Sequence, residues 1–145
     1  MASDLPCDVV REALLAMLPP GAVCDVAAPK DEADALLPEE RAHTTGMAGV
    51  RRAEFATGRR LARAALERLG FEPQPLLPAE DRAPQWPPGA IGSISHTRAL
   101  CAVVVARAGS LPSLGLDIEA TGRVEPRLWD ALFTAREQAR LRALP

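Results

Sequence analysis

An α+β fold is expected from three observations. Residues 48–69 carry one long amphipathic pattern that ends at Gly70. Residues 90–96 and 100–107 read as two strands of a hairpin turning at Thr97-Arg98. These elements come as a run of helix, then a run of strand, rather than in strict alternation. With 145 residues, 48% of them hydrophobic, the chain suits one domain or two small lobes around a sizeable core.

Taken in order, residues 8–18 predict a short helix with Val9, Leu14, Leu15 and Leu18 on its apolar side, ended by Pro19-Pro20-Gly21. Ala22 to Ala27 predicts a strand. Leu37-Pro38-Glu39-Glu40 opens a helical stretch through His43. In the long helix, at about 100° per residue, Phe55, Gly58, Leu61, Ala62, Ala65, Leu66 and Leu69 share a face, and Arg52, Arg59 and Arg63 line its edge. Arg60 points away, to the surface. A Pro-rich connection from Pro73 to Pro88 wraps the molecule, with Trp86 packing it down or offering a stacking face. Ser113 to Ala120 predicts a further strand, and residues 127–143 a helix.

Composition excludes several function classes. The net charge of -2 gives no general attraction to nucleic acid or anionic membrane. No apolar run is long enough to span a bilayer, and no secretory leader is visible at Met1. The three cysteines, Cys7, Cys24 and Cys101, form no Cys-x-x-Cys pair, so reduced thiols and a cytoplasmic address are expected.

The segment Leu116-Asp117-Ile118-Glu119 carries the most chemistry. In an extended chain Asp117 and Glu119 share a face, while Leu116 and Ile118 take the other. Two carboxylates side by side repel, and a hard cation such as magnesium removes that cost. The segment is therefore either a metal–phosphate site or an edge strand with a solvated acidic face. The arginine edge likewise reads as a phosphate clamp or as the wet rim of an amphipathic helix.

Three segments in order carry a resemblance. They are Arg51-Arg52-Ala53-Glu54-Phe55 with Gly58-Arg59-Arg60-Leu61, then Gly92-Ser93-Ile94-Ser95-His96, then Asp117-Ile118-Glu119. Together, over about residues 37–141, they resemble the 4'-phosphopantetheinyl transferases, nearest to the enterobactin synthase component D type. The resemblance implies the first lobe of a pseudo-two-fold α+β fold over residues 1–108, which binds the phosphates of coenzyme A. Residues 109–145 would begin the second lobe and carry the metal-binding strand.

It implies Arg51 and Arg59 as phosphate ligands, with Arg52 as the alternative in the Arg-Arg pair. Ser95 and His96 would also contact the phosphates, and Arg82 is the local candidate for a basic residue of the connection. Asp117 and Glu119 would be the catalytic carboxylates and hold magnesium. The reaction implied is transfer of phosphopantetheine from coenzyme A to a serine of an acyl or peptidyl carrier protein, in siderophore or other nonribosomal peptide or polyketide synthesis. His43 lacks such a context.

The family's next motif, with a Lys-Glu pair, is absent before Pro145. Phe133-Thr134-Ala135-Arg136-Glu137 imitates it at about half the usual spacing from Glu119, and Glu137 is read as helix surface. A truncated chain is the expectation here. The alternative is a remnant that binds coenzyme A or a carrier protein without catalysis.

Overall fold

A computed structural model describes residues 6–120 and 124–144. The outer ends of the two expected domain ranges, at residues 1 and 145, lie outside them. The architecture is α+β. A three-stranded antiparallel sheet of β1 (Val23–Ala27), β2 (Ala90–His96) and β3 (Cys101–Arg107) has the order β1-β3-β2. Val23 pairs with Val105 on one side of β3, and His96 with Cys101 on the other. The central β3 is buried on both faces from Cys101 to Ala106, as expected of a continuous apolar run.

The two faces of β3 separate the core. Cys101, Val103 and Val105 meet the long helix α3 (Gly49–Arg68) through Leu61, Ala62, Ala65 and Leu66. Ala102 and Val104 meet α1 (Cys7–Met17) through Leu14. The stripe of α1 that packs is Cys7, Val10, Leu14 and Leu18. Val9 and Leu15, expected on that side, are about half exposed, at 49% and 48%. The true stripe follows the i, i+3, i+7 spacing, and measured from Leu14 it leaves Val9 roughly 140° and Leu15 roughly 100° away.

The long helix ends as expected, at Gly70 with φ +81°. A short helix α2 (Pro38–Ala42) precedes it. The Pro-rich connection is fastened rather than loosely draped. Leu76 is fully buried, and Pro78 and Pro84 form an antiparallel bridge that closes a small loop with Arg82 at φ +69°. Trp86 packs on the core, and Gly92 makes room for it. A Cβ at Gly92 would sit 2.7 Å from the indole and 2.8 Å from the Val104 carbonyl oxygen.

Two expectations need correction. Residues 113–120 form no strand: the chain is extended, but no backbone ladder joins it to the sheet. Its burial still alternates, with Leu114, Leu116 and Ile118 packed on the α1-side core and Asp117 and Glu119 exposed. Serine side chains of β2 hold it. The Ser93 hydroxyl donates to the Leu116 carbonyl at 3.3 Å, and Ser95 Oγ accepts the Ile118 N–H at 3.0 Å.

The single helix expected over 127–143 is broken. A 3-10 turn at Pro126–Leu128 leads into α4 (Trp129–Leu132), and α5 (Ala135–Arg142) starts anew. Thr134 is the reason. Its hydroxyl accepts the Glu137 N–H, while the Glu137 carboxylate accepts the Thr134 N–H at 2.8 Å. Thr-x-x-Glu is thus a capping box.

Candidate functional site

The Pro-rich loop, α3 and the end of β2 enclose a cavity of about 340 Å³. Arg51, Glu54, Phe55 and Arg59 enter from α3, Ile94 and His96 from β2, and Arg82 from the loop. These positions repeat the helical spacing of three and four along α3. On β2 they are alternate residues, which share a face.

Arg59 is the central cation. It is only 5% exposed, stacks over the Phe55 ring at 4.4 Å, and its Nε meets no hydrogen-bond partner among the described residues. Burial pushes the guanidinium down to about 10, against the opposing pull of the Glu40 carboxylate. It stays protonated at neutral pH, with a desolvated charge that an entering anion would stabilise.

Arg51 is half exposed. Its Nη1 lies 3.3 Å from Glu54 Oε2 and 2.6 Å from His96 Nε2. His96 Nδ1 in turn lies 3.3 Å from Glu54 Oε2. Three arginines against one carboxylate make the cavity electropositive, although the chain as a whole is acidic.

The remaining expected residues sit elsewhere. Arg52 forms a two-pronged pair with Asp31, with Nε 2.8 Å and 3.1 Å from its oxygens, and does not line the cavity. The hydrogen bond from Arg52 holds the Asp31 carboxyl below its usual range. Ser95 points to the opposite face of β2 from His96, and its hydroxyl donates to Asp117 Oδ1 at 3.1 Å.

Asp117 is therefore tied to the residue next to His96 but is outside the cavity lining. Glu119 is exposed and accepts the Ala120 N–H at 2.8 Å. Among the described residues, no group of three or more His, Cys, Asp or Glu is arranged to hold a metal ion. The two carboxylates nevertheless fit a hard cation that keeps waters and shares a ligand's phosphates, because both are exposed oxygen donors on one side of an anchored chain.

Arg63, placed at the edge of the apolar face by helical spacing, is buried. It donates to Glu40 and to the Ala35 carbonyl. Glu40 is fully buried and also accepts the N–H groups of Leu37 and Leu76, each at 3.0 Å. This knot fastens α2, α3 and the Pro-rich connection behind the cavity. Arg60 points away from the cavity, as expected, and meets Glu32 at 3.1 Å.

Sequence reasoning passed over Glu54, Met47 and His43, which all line the cavity. The spacing from Arg51 to Glu54 was a usable signal, since residues three apart on a helix meet. His43 is brought there by tertiary folding alone.

Residues 39–106 match the family model described as the 4'-phosphopantetheinyl transferase N-terminal domain. The chain is 46% identical over 112 residues to 4'-phosphopantetheinyl transferase Svp of Streptomyces mobaraensis, a match covering 75% of this chain and 46% of that protein. It is 36% identical over 103 residues to 4'-phosphopantetheinyl transferase PptT of Mycobacterium tuberculosis, covering 71% of this chain and 45% of that protein. A third relative, 4'-phosphopantetheinyl transferase Npt of Nocardia iowensis, is 33% identical over 88 residues, covering 61% and 40%. The chain thus spans less than half the length of the curated relatives it matches. These matches support the 4'-phosphopantetheinyl transferase family.

Proposed function

We propose, on the premise of that family, that this chain carries the coenzyme-binding part of a 4'-phosphopantetheinyl transferase. The reaction is transfer of 4'-phosphopantetheine from coenzyme A to a serine of an acyl or peptidyl carrier protein. We assign it to siderophore or other nonribosomal peptide or polyketide synthesis, in the cytoplasm. Residues 1–108 would form the phosphate-binding lobe and residues 109–145 the opening of the second.

One observation carries the reading: a buried arginine whose Nε has no partner among the described residues faces an electropositive cavity shared with Arg51, Arg82 and His96. Unsatisfied buried donors are rare and costly, and phosphate oxygens are the acceptors that suit a guanidinium. Arg51 and Arg59 would hold the coenzyme's phosphates and His96 would assist. Arg82 would close over them from the loop. Arg52 would have to leave Asp31 to take part. Ser95 would serve by setting Asp117.

Magnesium fits Asp117 and Glu119 as the two protein ligands. When bound it would supply positive charge to offset that on the pyrophosphate. The work of the chain's own residues is positioning and charge stabilisation, which suffices for much of phosphoryl-type transfer.

Calorimetry with coenzyme A and its dephospho form tests the reading. Arg59→Ala should weaken coenzyme binding by about 1.5–3 kcal/mol, the range for hydrogen bonds to charged groups. Absence of binding to the wild-type chain at millimolar ligand would remove the phosphate clamp. Binding without modification of an apo carrier protein, read by mass spectrometry, would leave this chain with recognition but not transfer.

A further inference from the structure

Glu54 is nearly buried, yet no step of the proposed reaction uses it. Its Oε2 stands 3.3 Å from both Arg51 Nη1 and His96 Nδ1, and the same Arg51 nitrogen meets His96 Nε2 at 2.6 Å. A guanidinium only donates. His96 Nε2 therefore accepts, and the one ring proton resides on Nδ1, toward Glu54. The ring's acceptor nitrogen is thereby held against a cation.

We infer that Glu54 is a positioning residue that readies His96 to take up a proton when a phosphate displaces it from Arg51. The inference rests on the coenzyme reading of the cavity. An entering phosphate takes the Arg51 N–H donors. Nε2 then faces an anion instead of a cation. It binds one proton from solvent and donates it to a phosphate oxygen, and no bond of the ligand breaks. The Glu54 carboxylate beside Nδ1 balances the new charge.

The other groups around the ring favour the same order of events. Arg59 on α3 and Arg82 on the loop line the cavity and oppose a second cation while it is empty. His43 also lines it. Cys101, opposite His96 on β3, is pushed up to about 12 by burial and stays a neutral thiol. Asp117, held through Ser95, is on the far face of β2.

The chain has two histidines, so nitrogen NMR with His43→Gln for assignment reads the ring directly. The free protein should show His96 neutral with the proton on Nδ1, and the coenzyme A complex should show both nitrogens protonated. Calorimetry near pH 8, in buffers of differing ionisation heat, should give uptake of about one proton per coenzyme A, and none in His96→Gln. Glu54→Gln keeps the shape and removes the charge. It should bind coenzyme A about tenfold more weakly near pH 8, with the gap narrowing as pH falls. A merely structural defect would weaken binding equally at every pH.

A proton on Nε2 in the free protein overturns the inference, as does binding heat that is independent of buffer. Both leave the coenzyme reading intact. Failure of the wild type to bind coenzyme A overturns the coenzyme reading itself, and the inference with it. The NMR arm on wild-type protein decides the matter even where Glu54→Gln fails to fold.

Discussion

At the scale of residues, burial sorts groups of the same type into different roles. Arg59 and Arg63 are one turn apart on α3 and both nearly buried. Arg63 is consumed by Glu40, whereas the Arg59 Nε is unmet among the described residues. The cysteines divide in the same way. Cys101 is fully buried and pushed up to about 12, Cys24 is raised mainly by burial, and Cys7 is partly exposed near the start of α1. Thiolate is the reactive form, so access and acidity both protect the buried pair. In native protein near pH 8, iodoacetamide should label Cys7 and spare Cys24 and Cys101. Labelling of Cys101 at a comparable rate, read by peptide mass spectrometry, would contradict the packing of β3 against α3.

At the scale of elements, the clearest lesson comes from residues 113–120. An apolar–polar alternation predicts a half-buried extended chain, and the alternation of burial is there. What the pattern does not specify is whether the backbone joins a ladder. Here the hydroxyls of Ser93 and Ser95 fill that place. Ser95→Ala removes both the acceptor for the Ile118 N–H and the donor to Asp117. The Ile118 amide should then exchange more readily, its opening cost falling by about 1 kcal/mol. Any enhancement of coenzyme binding by magnesium should fall with it. Unchanged protection of Ile118 in the variant would show that apolar packing alone holds the segment.

The capping box of α5 answers to pH. Hydrogen bonds from the Thr134 N–H and hydroxyl hold the Glu137 carboxyl below its usual range. A lowered carboxyl stabilises the fold above its ordinary titration range, and the contribution is lost as pH falls through the lowered value. Helical shifts of Ala135–Arg142 should therefore persist at neutral pH and weaken in acid. Thr134→Ala should cost the helix about 1 kcal/mol at neutral pH and blunt the acid transition. An acid transition of equal size in the variant would place its origin elsewhere.

For the molecule as a whole, Glu40 ties the core to the cavity. Its fully buried carboxylate joins α2, α3 and the chain at Leu76, which leads into the loop that carries Arg82. Removing one partner of a buried pair leaves the other charge unpaired, at about 3–5 kcal/mol. Glu40→Ala should lower denaturant stability by that amount and loosen the loop over the cavity. A loss under about 1 kcal/mol, the scale of an exposed pair, would mean that Arg63 finds other partners or water.

The sequence by itself determined the parts governed by local periodicity. The long helix to Gly70, the α+β class and the shared side of Asp117 and Glu119 follow from spacing of three to four or of two, and the hairpin of β2 and β3 from strand-forming runs bounded by turn residues. The same spacing placed Arg59 at the edge of the helical face that carries Phe55, while Arg51 was expected from the resemblance alone.

Tertiary structure decided what those residues meet. Helical geometry assigns Arg63 and Arg59 to one edge, but only the packing of α2 gives the first a hydrogen bond to Glu40 and leaves the second with its longer-range pull alone. The Thr134 break, the stripe of α1 that packs, and the meeting of Glu54, Arg51 and His96 depend likewise on capping and contact. Arg51 and His96 are 45 residues apart along the chain. A pattern read along one element carries no term for a partner on another. That partner's charge and its exclusion of water decide whether an arginine is a strut or a binding group.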